Sequence, residues 1–134
     1  MPMETRWHTE NRVIFVHAYG IVTKPEMEQY AVDKIALLQA AAQIHDEEID
    51  CIMDASAAET FPPMYRMATT GLPLMRQKNR GVLVMITTNR ALRAIVELAA
   101  HVFPTMTFKV RFVATMDQAL EIVEPHQDAI TQTV

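Results

Sequence analysis

The sequence predicts an α/β layered domain, a mixed, mostly parallel sheet of about five strands flanked by about four helices. Three observations predict it. Apolar runs of strand character alternate with segments of helical periodicity, which calls for crossover connections and parallel pairing. Two of those runs, Val13-Ile14-Phe15-Val16-His17-Ala18-Tyr19 and Val82-Leu83-Val84-Met85-Ile86, are apolar on both faces, as strands covered on both sides must be. Helix-start signatures stand at Thr23-Lys24-Pro25-Glu26 and at Thr115 with Gln118.

Taken in order, Arg6 to Thr9 reads as a short first strand, and Glu10-Asn11 as a two-residue turn into the run from Val13 to Tyr19. That opening hairpin adds an antiparallel edge to the sheet. Thr23 caps a helix, Glu26 reaches back to its amide, and Pro25 is tolerated in the first turn. Met27, Tyr30, Ala31, Lys34, Ile35, Leu38, Ala41 and Ala42 recur at helical spacing, with Lys34 the one charged member of the stripe. His45-Asp46-Glu47-Glu48 ends this helix in a polar loop. Ile49 to Ala55 is the next strand, with Cys51 and Met53 on one face and Ile52 and Asp54 on the other. A loop from Ser56 to Phe61 leads through Pro62-Pro63 to a helix from about Met64, broken near Gly71 and Pro73. Gly81 opens the Val82–Ile86 strand. Thr88-Asn89 caps a helix from Arg90 to about Phe103, closed by Pro104. Phe108 to Ala114 is the last strand, followed by a short helix with Met116, Leu120 and Val123 inward, stopped by Pro125. The expectation is one domain over residues 1–134, with a core of about 6–124 and a frayed polar tail over 125–134.

At 134 residues the chain is long enough to bury a real core, and a hydrophobic half with 21% charged residues is ordinary globular composition. The formal net charge of −4 argues against broad binding to nucleic acid. The first twenty residues lack a signal-peptide pattern, and no apolar run approaches the roughly 20 residues that span a bilayer. The single cysteine, Cys51, cannot close an intrachain disulfide. These features lead to the expectation of a soluble, cytoplasmic protein with no membrane span.

No catalytic or metal constellation is predicted, and no cofactor. The acidic run with His45 occupies adjacent loop positions that do not converge on one ion. Arg90, Arg93, Glu97 and His101 line one helix stripe, explained by exposed local ion pairs. His17 reads as a core histidine, and Cys51, mid-strand, as a buried thiol. The glycines are scattered, and no phosphate loop, nucleophile elbow or paired-cysteine motif is present. The place that parallel sheets reserve for ligands is their carboxyl edge, beside helix starts. Asp54, Ser56, Thr87, Thr88, Asn89, Arg90 and Thr115 fall there, and are the candidates for holding a small or anionic ligand. Capping by Asn89 and Thr115 and loop bracing by Asp54 account for the same residues without one. Ten methionines are the other anomaly. Phe61, Met64, Tyr65, Met67 and Met75, in and around the proline-broken helix, form a candidate partner face, because thioethers adapt to irregular surfaces.

Three segments carry a resemblance. Asp54-Ala55-Ser56 leads through Phe61-Pro62-Pro63 into a helix. Gly81-Val82-Leu83-Val84 is followed by Thr88-Asn89-Arg90-Ala91-Leu92-Arg93-Ala94. Lys109-Val110-Arg111-Phe112-Val113 precedes Met116-Asp117-Gln118-Ala119-Leu120. In this order the chain resembles the SpoIIAA-like domain family, relatives of STAS domains. The resemblance implies a mixed sheet with packed helices, no intrinsic catalysis, and a regulatory role exerted by binding partner proteins; self-association as a homodimer is expected beside it. It also implies a rival, a small-ligand or lipid-binding domain of the related CRAL/TRIO type. The family's phosphorylated serine sits in an Asp-Ser-Ser-Gly type signature. Here Pro62-Pro63-Met64-Tyr65 stands in its place, and Ser56 and Thr60 are the neighbouring hydroxyls.

Overall fold

The computed structural model describes residues 3–60, 74, 76–91, 93–94, 97 and 110–132. Five strands form one sheet in the order β1-β2-β3-β4-β5, comprising β1 (Met3–Thr9), β2 (Val13–Ile21), β3 (Ile49–Thr60), β4 (Arg80–Ile86) and β5 (Val110–Val113). β1 runs antiparallel to β2, and the remaining neighbours pair in parallel, giving the mixed, mostly parallel sheet that the sequence predicts.

Alternation along the strands sorts the core into two faces. Ile14, Val16, Ala18, Cys51, Met53, Ala55 and Met85 lie on one, with Tyr30, Leu38 and Ala41 of α1 (Lys24–Ala42). Val13, Ile52, Val82, Val84 and Ile86 lie on the other, with Ala119 and Val123 of α2 (Met116–Gln132). Helices on both faces explain why the runs beginning at Val13 and Val82 carry so little polarity. Ile14, Val16, Ile52 and Val84 are wholly buried, each stabilising the fold by roughly 1.5–3 kcal/mol relative to exposure.

Local signals fix the ends of the helices. The Thr23 backbone N–H donates to the Glu26 carboxylate at 3.0 Å, as the capping box requires. At the far end of α1 the Asn79 amide donates to the Leu38 carbonyl at 2.9 Å. The Gln118 N–H donates to Thr115 Oγ1 at 3.2 Å, while Ala114 N–H donates to the Gln118 side chain at 2.8 Å, so α2 is capped from both sides of Thr115.

Several boundaries differ from expectation, each for a physical reason. β1 begins at Met3 rather than Arg6, because Met3 to Arg6 pair with Ala18 to Phe15. The hairpin turn takes three residues, Glu10 to Arg12, with Asn11 in the left-handed region at φ 60° and Arg12 N–H on the Thr9 carbonyl at 2.9 Å. Ser56 to Thr60, expected as loop, continue β3 because β2 itself runs on to Ile21 and pairs them: Tyr19 with Ala57, Gly20 with Ala58, Ile21 with Thr60. The loop after α1 is not merely solvated, since His45 Nε2 lies 2.5 Å from the Asn11 carbonyl and Glu47 pairs with Arg12.

Pro125 does not end the last helix, and α2 runs through it to Gln132. Two complete helices stand among the described residues, against the four expected. Leu74, Arg90, Ala91, Arg93, Ala94 and Glu97 are helical, and the rest of the two other expected helices lies outside the described residues.

Candidate functional site

At the carboxyl end of β4 the chain turns sharply. Thr87 N–H donates to the Val113 carbonyl at 3.0 Å and so ties the end of β4 to β5. Thr87 Oγ1 accepts from Asn89 N–H at 3.0 Å, and Asn89 Oδ1 accepts from Ala91 N–H at 3.0 Å, which caps the helical turn starting at Arg90. The Arg93 guanidinium lies 5.3 Å from the Phe112 ring centroid and donates to Glu97 at 3.0 Å. Between this turn and α2 opens a groove of about 670 Å³. Thr87, Thr88, Asn89, Arg90 and Arg93 form one wall, Gln118, Glu121 and Ile122 the other, and Phe112 to Ala114 the floor.

Four of the candidate ligand residues, Thr87, Thr88, Asn89 and Arg90, therefore line one groove. The other three do separate work. Asp54 Oδ1 accepts from the Ser56 N–H at 3.0 Å and from its hydroxyl at 2.6 Å, bracing β3 where its register with β2 shifts. Thr115 caps α2. Of the partner-face candidates, Phe61, Met64, Tyr65, Met67 and Met75 all lie outside the described residues. His17 is half-buried rather than a core residue, its ring 5.0 Å from that of Tyr19. Arg93 and Glu97 form the expected local ion pair, and His101 lies outside the described residues.

Sequence reasoning missed a second polar centre, at the opposite end of the sheet. Asp50, at the start of β3, is wholly buried. One carboxylate oxygen accepts from Val82 N–H at 2.7 Å. The other accepts from the Gln127 amide at 2.8 Å and lies 2.7 Å from His126 Nδ1, whose Nε2 stands 3.5 Å from Glu48. Gln127 also donates to the Glu48 carbonyl at 3.1 Å. Asp50 thus fastens the part of α2 beyond Pro125 to the sheet. The spacing Ala119, Val123, Gln127 continues the helical period past the proline and would have revealed the segment. Among the described residues no three His, Cys, Asp or Glu side chains are placed to hold a metal ion.

A third polar cluster lies beneath α1. Lys34, 6% exposed, accepts no solvent contact of consequence and donates to the Tyr30 hydroxyl at 3.2 Å, with the Cys51 thiol as its other partner. Burial pushes the Tyr30 phenol and the Cys51 thiol up, since each would have to ionise away from water, although the Lys34 ammonium opposes this. Burial alone would lower Lys34, but the thiol and the phenol outweigh it and raise the ammonium to about 12. A thiol held protonated under a helix is no nucleophile at neutral pH.

No protein-family model matches the chain, and no curated protein matches its sequence. Solved structures do. A protein of the DUF3478 family with a SpoIIAA-like fold, from Shewanella loihica PV-4, superposes with a TM-score of 0.60 at 17% identity, over 90% of this chain and 91% of its own. The anti-sigma factor antagonist SpoIIAA in its unphosphorylated form gives a TM-score of 0.61 at 15% identity, over 91% of this chain and 97% of its own. The strand order, the sheet with its antiparallel first edge and the cover of helices are together those of the SpoIIAA-like fold.

Proposed function

We propose that this chain is a non-enzymatic, STAS-like regulatory domain that acts by binding protein, including a second copy of itself. The observation that carries the reading is the fold shared over nine-tenths of the chain with an anti-sigma factor antagonist, a protein whose task is to engage another protein. The side-chain chemistry agrees with it. The Cys51 thiol is engaged by Lys34 and the Ser56 hydroxyl by Asp54. No base, nucleophile and oxyanion donors converge among the described residues. The groove at the carboxyl edge is open and walled by charged and hydroxyl groups, whereas a lipid-binding domain of the CRAL/TRIO type wants an enclosed apolar chamber. A phosphate switch fits Ser56 poorly, because a dianionic ester there would stand against the Asp54 carboxylate that its hydroxyl now touches.

Chemical cross-linking in the native host, followed by titration of the purified chain with each cross-linked protein, tests the reading. The expected result is a saturable complex with at least one protein. Failure of every such protein to bind, or catalytic turnover by the purified chain, would overturn it.

A further inference from the structure

We infer that the groove between the helical turn at Arg90 and α2 docks an extended, acidic segment of a partner protein along the outer edge of β5. The inference rests on the protein-binding reading above and specifies where and by what chemistry the partner is held.

The floor of the groove is a sheet edge. β5 is the last strand and pairs only with β4 among the described residues. The Val113 carbonyl points to the β4 side, where it accepts from Thr87 N–H at 3.0 Å. Along a strand, backbone groups alternate in direction, so Phe112, one residue earlier, presents its N–H and carbonyl outward. An unpaired edge is a template for one more strand, and an extended segment supplies it. The volume of about 670 Å³ falls in the roughly 300–1,000 Å³ range of pockets that enclose a ligand of several side-chain groups.

Charge decides what the segment carries. Arg90 on the wall and Arg111 on β5 are exposed, and neither has an ion-pair partner among the described residues. The Arg93 guanidinium lies over the Phe112 ring, 5.3 Å from its centroid, with its Nε donating to Glu97 and no partner on its terminal nitrogens among the described residues. Two guanidiniums thus line the groove and a third stands on the strand that floors it, in a chain with a net charge of −4. Guanidinium forks match carboxylates, and one pinned on an aromatic ring loses little freedom on binding. Glu121 on the opposite wall repels a carboxylate there, so the acidic side chains of the segment are directed to the Arg90 and Arg93 wall and its register is set.

The probes are an end-capped peptide of alternating valine and glutamate, its valine–lysine counterpart, and free glutarate, each titrated into the full chain and followed by amide chemical shifts. The glutamate peptide is expected to shift Thr88, Phe112 and Val113 saturably, and to bind at least tenfold more tightly than the lysine peptide. Arg90→Glu and Arg111→Glu, two exposed changes, should each weaken it by several-fold and their combination by at least tenfold, with the remaining amide shifts unmoved. Equal binding of the two peptides, shifts confined to another face, or affinity unchanged in the double variant would overturn the inference. Glutarate binding as tightly as the peptide would also overturn it, by making the groove a small-anion site. A native partner that binds the double variant as well as the wild type would remove this groove and leave the protein-binding reading standing. Absence of any binding protein would remove that reading itself.

Discussion

Asp50 shows how one buried residue can organise several elements. Its carboxylate is removed from water and is stable there because Val82, Gln127 and His126 all face it. Gly81 is the necessary neighbour, since a Cβ at that position would lie 2.2 Å from Asp50 Oδ1, a carboxylate that its partners hold in place. Gly81→Ala should therefore destabilise the chain by about 1–3 kcal/mol, the usual cost of overpacking, read from urea unfolding. Asp50→Ala strands three inward-facing partners at once and should cost about 3–5 kcal/mol, clearly more than truncating His126, which is partly exposed. Equal costs would mean that Asp50 is not the centre of the network. This residue was hidden in the sequence because its partners are 76 and 77 positions away. An acid before an apolar run looks like the end of a loop until the helix that seals it is in place. The groove-forming turn was more legible, because Thr87 and Asn89 bond within a few residues of themselves. Phe112, Gln118 and Glu121 complete the groove only through packing.

At the scale of elements, the stripe of α1 was readable down to its charged member, and the structure gives Lys34 a task. The ammonium, the Tyr30 phenol and the Cys51 thiol all keep their protons in the folded chain at pH values where the unfolded chain has begun to release them. The unfolded state then binds fewer protons, so stability falls as pH rises. The contribution is whole below about pH 9, the ordinary value for the thiol, and is lost progressively through 10.0 and 10.5 toward about 12. Lys34→Met, similar in volume, should change stability at pH 7 by less than about 1.5 kcal/mol and remove the share of the alkaline loss that extends from 10.5 toward about 12. Urea midpoints between pH 7 and 11 check this, and an unchanged alkaline slope would contradict it. α2 was misread at the same scale. Proline removes one helical hydrogen bond and usually stops a helix, at a cost of about 3 kcal/mol. Here the bonds from His126 and Gln127 to β3 hold the helix beyond it, a tertiary effect that no local propensity contains. Pro125→Ala should accordingly raise stability by about 1–3 kcal/mol in the same unfolding measurement. A loss would show that the proline shapes the clasp rather than burdening it.

For the whole molecule, the mostly parallel sheet and its helical cover followed from apolar runs, whereas the strand order and the exposed apolar surface had to be seen. The outer side of α1 carries part of that surface. Val32 and Ile44 are 60% and 68% exposed, and Ala36 and Ala40, also exposed, stand between them at four-residue spacing. Gln29, Gln39 and Gln43 flank the row, and Glu28 and Asp33 stand at its N-terminal end. The row, which runs from α1 into the turn that follows it, is also self-complementary: with two copies antiparallel, Val32 meets Ile44 and Ala36 meets Ala40 about a two-fold axis level with Leu38, the isologous arrangement of homodimers. At 1.5 Å per residue the row is only about 18 Å long, too small alone for the roughly 1,200 Å² of a stable interface. Self-association through it should therefore be weak, with a monomer at low micromolar concentration giving way to a dimer as concentration rises in light scattering. Val32→Asp combined with Ile44→Asp changes two exposed positions and should abolish the dimer while leaving the unfolding midpoint within about 0.5 kcal/mol of wild type. A monomer at every concentration would remove self-association from the proposed function. A dimer that survives both aspartates would move the contact to another face.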